Sequence, residues 1–144
     1  MAAGDITFFN ESLELALEGW AGTDTIKVAI LDNTATPAAS TATPSLSDFT
    51  EVGTAGSYTA GGVDVGTWAD FVTQSAGTTK FDSATNPSWT QDASNDADAY
   101  WGLIYNDTSA GDDALGFVDL GGPIDMSASA LTITWNASGI ATIS

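Results

Sequence analysis

The chain has no cysteine, no histidine and no arginine, and its only cationic side chains are Lys27 and Lys80 among 144 residues. Each absence removes a class of chemistry. Without cysteine there is neither a disulfide staple nor a thiolate site. Without histidine there is no imidazole base, so no Ser-His-Asp or Cys-His arrangement can be assembled. Losing both residues also removes the usual zinc ligand sets. Without arginine there is no bidentate phosphate clamp, and no glycine-rich phosphate loop ends in a lysine. A carboxylate pair of the glycosidase kind is what remains. The acids, however, gather in segments that read as turns, with Asp92, Asp96 and Asp98 in one and Asp112 and Asp113 in another. They do not lie within apolar strands, where burial raises a carboxyl pKa. The expectation is a protein that is not an enzyme and takes no cofactor.

Nineteen acids against two lysines give a formal net charge of −17. Most carboxylates must therefore be solvated, hydrogen-bonded, or matched by a partner or by salt. Such a surface repels phosphate backbones and anionic lipid, so neither nucleic acid nor membrane is an expected partner. Two readings of the charge stand side by side: a solubility device suited to salty surroundings, and an acidic face that docks on a basic partner. The opening MAAGDITFFNE places Asp5 where a secretion signal needs positive charge, and no stretch has the length of a transmembrane helix. Folding in a cytoplasm is expected, without export by a visible signal.

What is present is globular. Hydrophobic residues make up 43% of the chain, with five Trp, six Phe and three Tyr, and this excludes a disordered composition. No linker or composition break divides the chain, so residues 1–144 are read as a single β-rich domain. NESLELALEGW (10–20) is read as a short helix: Leu13, Ala16, Leu17 and Trp20 follow helical spacing, and Glu11, Glu14 and Glu18 fall opposite. Asn10 suits its N-cap and Gly19 its end. TDTIKVAILD (23–32) alternates as a strand, with Ile26, Val28 and Ile30 on one face and Ala29 and Leu31 on the other, both covered. SYTAGGVDVGTWADFVT holds a Gly-Gly break and two alternating runs, followed by GTTKFDS and PSWTQ. DAYWGLIYND (98–107) sets Trp101, Leu103 and Tyr105 against Tyr100 and Ile104. The turn TSAGDDA then leads to LGFVDLG, a hairpin signal. ALTITWN, a turn at NASG and IATIS close the series. The fold class expected is mainly β, an antiparallel β-sandwich with one short N-terminal α-helix.

Three features invite function. The turn QDASNDADAY offers oxygen ligands from Asp92, Asn95, Asp96 and Asp98 within seven positions, the donor type calcium takes, but without EF-hand spacing or its terminal Glu. A solvated loop holding no metal is the plainer reading. Tryptophan faces stack on sugars: Trp101 and Trp135 lie on apolar strand faces, Trp20 completes the helical stripe, and Trp68 and Trp89 are left as the exposed candidates. The loop over 33–49 repeats TATP at 34–37 and 41–44 and has few large apolar groups, so it reads as an arm over a neighbour or as a surface loop.

An ordered set of segments carries a resemblance. N-x-x-L-x-x-A-L-x-G at 10–19, DTIKVAILDNT-x-TP at 24–37, GSYTAGGV at 56–63, AYWGLIYNDT at 99–108, LGFVDLG at 115–121 and LTITWNASGI at 131–140 follow in order along most of the chain's length. This set resembles a family of small bacteriophage particle proteins. The resemblance implies a virion structural part: a capsid decoration (cement) protein on the outer surface of the major capsid shell, or else a tail or head–tail junction component. It implies no active residue. Its implied partners are the major capsid protein and copies of the chain itself, and its implied location is the virion, assembled in the host cytoplasm. A carbohydrate-binding or adhesive module is the alternative from another class. The chain departs from the pattern of the family it resembles in the TATP loop and in the lack of basic residues in the helix. Docking through apolar or β-edge contacts points to the helix, the last strand or the 33–49 loop, with Thr36, Pro37, Thr43, Pro44, Leu46 and Phe49 as interface candidates.

Overall fold

The computed structural model describes residues 6–136 and 139–143. In chain order these form β1 (Thr7–Phe8), helix α1 (Ser12–Gly19), β2 (Thr25–Leu31), a 3-10 turn (Leu46–Asp48), β3 (Val63–Thr67), the one-turn helix α2 (Trp68–Phe71), β4 (Val72–Ser75), β5 (Thr78–Phe81), β6 (Ser88–Trp89), β7 (Ala99–Asn106), β8 (Ala114–Ile124), β9 (Leu131–Thr132) and β10 (Ala141–Ile143). The protein is mainly β, and its sheets are antiparallel. A five-stranded sheet runs β1-β8-β7-β2-β3, a three-stranded sheet β10-β5-β4, and β6 pairs with β9.

Alternation in β2 sorts its side chains as the sequence implies. Ile26, Val28 and Ile30 are fully buried in one apolar cluster, whereas Ala29 and Leu31 are fully buried in another. The β7 strand does the same, sending Ile104 to the first cluster and Leu103 and Tyr105 to the second. In β8 one extra residue, Leu115, lies between the partners of Ile104 and Tyr105, so Leu115 joins the first cluster while Ala114 and Phe117 join the second. The first cluster also takes Phe71, Phe81, Trp89, Leu131 and Ile133 from the segments of the smaller sheets. Each fully buried Ile or Leu contributes roughly 1.5–3 kcal/mol, so the three long central strands hold most of the stabilising burial.

Departures from the sequence reading have local causes. TWADF interrupts the alternating run with a helical turn because Thr67 and Asp70 cap each other. The Asp70 N–H donates to Thr67 Oγ1 at 3.3 Å, and the Thr67 hydroxyl returns a bond to Asp70 Oδ2 at 2.7 Å. In α1 the cap position is Glu11 and not Asn10, with no side-chain cap bond. Of the stripe drawn from spacing, Ala16 is buried and Trp20 packs against the first apolar cluster, whereas Leu13 is 37% exposed and Ser12 is buried in its place. The side chains of Leu17 and Glu18 lie outside the described residues. In ALTITWN the regular strand β9 covers Leu131–Thr132, after which the Ile133 N–H donates to the Pro87 carbonyl. The turn at NASG falls partly outside the described residues. Gly62 is obligatory: its φ is +70°, and a Cβ there would lie 1.9 Å from the Val28 carbonyl oxygen.

Candidate functional site

The segment between Leu31 and Glu51 leaves β2 and returns to it, since these two residues form a bridge and the Asp32 N–H donates to the Thr50 carbonyl at 3.0 Å. A long loop with closely held ends is an Ω-type loop, and its own side chains must fix it. Leu46 and Phe49 are half-buried against the second apolar cluster, and Phe49 stacks on Phe9 at 6.0 Å. Pro37 and Pro44 are buried, whereas Thr36 and Thr43 are exposed. The six interface candidates therefore divide: four anchor the loop to its own chain, and two face outward. Main-chain bonds complete the anchoring, from Asn10 N–H to Ala39 O at 2.8 Å, Leu46 N–H to Asp112 O at 3.1 Å and Ala114 N–H to Pro44 O at 2.8 Å.

Thr43 is held in a conformation it disfavours. Its φ is +42°, the left-handed region that a β-branched residue enters at a cost of about 1–2 kcal/mol. The carboxylate of Glu11 accepts its N–H at 2.7 Å, across a sequence separation of 32 residues.

The acidic turn is put to internal use. Asn95 is buried: its carboxamide oxygen accepts the N–H groups of Ser57 at 2.8 Å and Tyr58 at 3.3 Å, and its NH2 donates to the carbonyls of Thr90 at 3.1 Å and Met126 at 3.3 Å. Asp96 accepts the Gly53 N–H through a short bond, and Asp92 accepts the Ser94 N–H at 2.8 Å. Two of the four candidate calcium ligands thus spend oxygens on backbone donors of the 53–58 segment. Among the described residues no three acidic side chains are grouped to hold a metal ion.

Asp98 departs from the sequence expectation for turn acids. Burial raises its pKa, and the neighbouring carboxylates of Asp96 and Asp32 raise it further. Asp112 is raised as well, by burial first and then by Asp107, with Lys27 opposing. Asp125 is lowered, chiefly by the Ser127 hydroxyl that donates to it at 2.5 Å. Both lysines are committed, Lys27 to Asp107 at 2.8 Å and Lys80 to Asp82 at 2.6 Å.

Trp20, Trp101 and Trp135 pack against the apolar clusters, as their spacing implies, whereas the two exposed candidates are placed differently from expectation. Trp89 is only 5% exposed, inside the first cluster beside Tyr58, because β6 pairs with β9 and turns its ring inward. Trp68 is half-buried among Trp20, Phe71 and Phe81. Trp101 and Trp135 are half-buried, with their indole N–H groups donating to Asn33 Oδ1 at 3.3 Å and the Thr85 carbonyl at 3.2 Å. A buried Trp89 offers no face to a sugar ring.

One polar cluster has no signal in the sequence. Glu51 accepts from the Tyr58 hydroxyl at 2.5 Å and the Gly61 N–H at 2.7 Å, while the Tyr58 oxygen accepts the Ile30 N–H at 3.1 Å. The Tyr105 hydroxyl donates to the Gly61 carbonyl at 2.7 Å. Burial, then the hydrogen bond to Glu51, pushes the Tyr58 pKa up. Burial also raises Tyr105, followed by the charge of Asp107. These groups come from segments distant in the chain, so no local pattern marks them.

No family model, no curated protein and no solved structure matches the chain. Among the described residues, no helix is long and apolar enough to cross a membrane.

Proposed function

We propose that this protein is a non-catalytic structural subunit of a bacteriophage particle, a decoration protein seated on the outer surface of the major capsid shell. Its body is read as an antiparallel sandwich with a short N-terminal helix, a reading supported by the first apolar cluster, which takes residues from the five-stranded sheet and from the segments of the smaller sheets. The observation that carries the reading is how the polar side chains are employed. Asn95, Asp96, Glu51 and Tyr58 all reach inward to backbone groups and stiffen the 51–61 segment. That is the design of a rigid building block, and it leaves these groups unavailable to a substrate. The order of segments resembling phage particle proteins supports the same reading.

In this role the dense negative charge keeps free subunits apart before assembly. The protein takes no cofactor, its partners are the shell protein and its own copies, and its place is the virion. Quantifying the protein in purified particles tests this. On the order of hundreds of copies per particle is expected for a shell decoration, whereas roughly six or twelve would assign it to the tail or head–tail junction. Absence from particles would overturn the reading.

A further inference from the structure

Thr43 is strained for two separate reasons. Its φ of +42° is unfavourable for a β-branched side chain, and the next residue is Pro44, which favours extended backbone at the position before it. Among the described residues only Thr43, Ala76 and Asp112 have positive φ without being glycine, and Ala76 belongs to a hairpin turn. The other two border one seam. There the Asp112 carbonyl accepts the Leu46 N–H at 3.1 Å, and the Pro44 carbonyl accepts the Ala114 N–H at 2.8 Å. Residues 9–11 grip the loop as well: Phe9 stacks on Phe49, the Asn10 N–H donates to the Ala39 carbonyl, and the Glu11 carboxylate accepts the Thr43 N–H. Glu11 stands at the cap position of α1, yet its side chain caps nothing there and reaches the loop instead.

We propose that residues 33–49 are a strap that lifts from the body as a unit, with residues 9–11 as its latch. The base of the strap stays closed, because the Asp32 N–H donates to the Thr50 carbonyl at 3.0 Å and the Val52 N–H to the Ile30 carbonyl at 3.1 Å. Outward of that base, the strap is held by the contacts with residues 9–11 and 112–114 and by Leu46 and Phe49 on the second apolar cluster. Freed from Glu11, Thr43 returns to the extended backbone that its branched side chain and Pro44 both favour, and this re-aims the segment beyond it. That segment moves as one piece, since Ser45 and Asp48 cap each other across the 3-10 turn. Lifting bares Phe9, Leu46 and Phe49, so the closed strap covers an apolar wall. Backbone strain persists only where surrounding contacts over-determine it, and at Thr43 it is a standing bias toward opening.

The strap is a property of the single chain, so its test is separate from that of the decoration reading. Residue-resolved amide exchange of the full chain should show the Leu46 and Ala114 N–H groups exchanging at least about a hundredfold faster than the amides of β2 and β7, through an opening smaller than global unfolding. Glu11→Ala should speed both by the same factor, at least about tenfold, because any opening that breaks the Glu11 bond is favoured by its loss. Neither amide is bonded to Glu11, so a merely local effect would move Thr43 alone. Thr43→Gly accepts the left-handed backbone without a steric penalty and should slow both amides by about fivefold. It acts in the opposite direction, so it decides the matter even if Glu11→Ala fails to fold. Strap amides exchanging no faster than the central strands, a Glu11→Ala effect confined to Thr43, or Thr43→Gly exchange as fast as the parent's or faster overturns the inference.

Discussion

Beneath the second strand, the hydroxyl of Tyr58 donates to the carboxylate of Glu51 at 2.5 Å while its oxygen accepts the Ile30 N–H at 3.1 Å. One side chain thereby satisfies a buried main-chain donor and a carboxylate together. Tyr58→Phe removes both bonds and leaves the Ile30 N–H without that acceptor. Leaving a buried polar group unsatisfied costs about 1–3 kcal/mol, and urea denaturation near pH 7 should show a loss of that size. A variant as stable as the parent would mean that water replaces the hydroxyl.

Asn95 performs the same service for the opposite end of the segment. Its carboxamide supplies both acceptor and donors, so Asn95→Asp keeps the acceptor for Ser57 and Tyr58 but loses the bonds to Thr90 and Met126. Asn95→Ala loses all of them, at about 2–3 kcal/mol, and Asn95→Asp should be the more destabilising, because it sets a buried carboxylate against the carbonyls of Thr90 and Met126. Paired denaturation curves rank the two, and the reverse order would refute this account of the clamp.

Acidification should stabilise the protein at first. Asp98 and Asp112 have raised pKa values when folded, so the folded chain binds these protons more tightly than the unfolded one. Their stabilising contribution is complete below the ordinary aspartate value of about 4 and is lost as pH rises through the raised values. Asp125 acts oppositely: its lowered value gives stability above the ordinary range that is lost as pH falls through the folded value. The melting temperature should therefore climb as pH falls through the raised values toward about pH 4, and decline in stronger acid as Asp125 takes up its proton. Asp98→Asn should raise the melting temperature at neutral pH and flatten the climb. A steady fall from neutral to about pH 4 would contradict these signs.

Salt should act in the same direction. With both lysines already paired and a net charge of −17, screening relieves self-repulsion more than it weakens attraction. Melting temperature should rise between low and moderate NaCl, and a decrease would count against a surface dominated by repulsion.

The β4–β5 hairpin offers a stabilising change. Its two-residue loop, Ala76-Gly77, has φ of +50° and +84°, the form that prefers Asn-Gly. Ala76→Asn should add about 0.5–1 kcal/mol, visible as an upward shift in thermal melting. No shift would indicate that the hairpin opens before the rest of the molecule unfolds.

What the sequence by itself determined lies in the long strands and in the inventory of side chains. Alternation over 26–31 and 101–105 assigned residues to two buried faces, because a strand's side-chain period is a property of the backbone. The missing Cys, His and Arg likewise bounded the chemistry before any fold was known. The tertiary structure decided which short segments cover those faces. It turned Trp89 inward through pairing with β9, seated Leu46 and Phe49 on the second cluster, and joined Glu51, Tyr58 and Gly61. It also set Glu11 against Thr43, far along the chain. These outcomes depend on contacts between residues distant in sequence, where neither propensity nor periodicity carries information. The loop over 33–47 shows the division: its lack of charge is written in the chain, but only the fold turns its prolines inward and its threonines out.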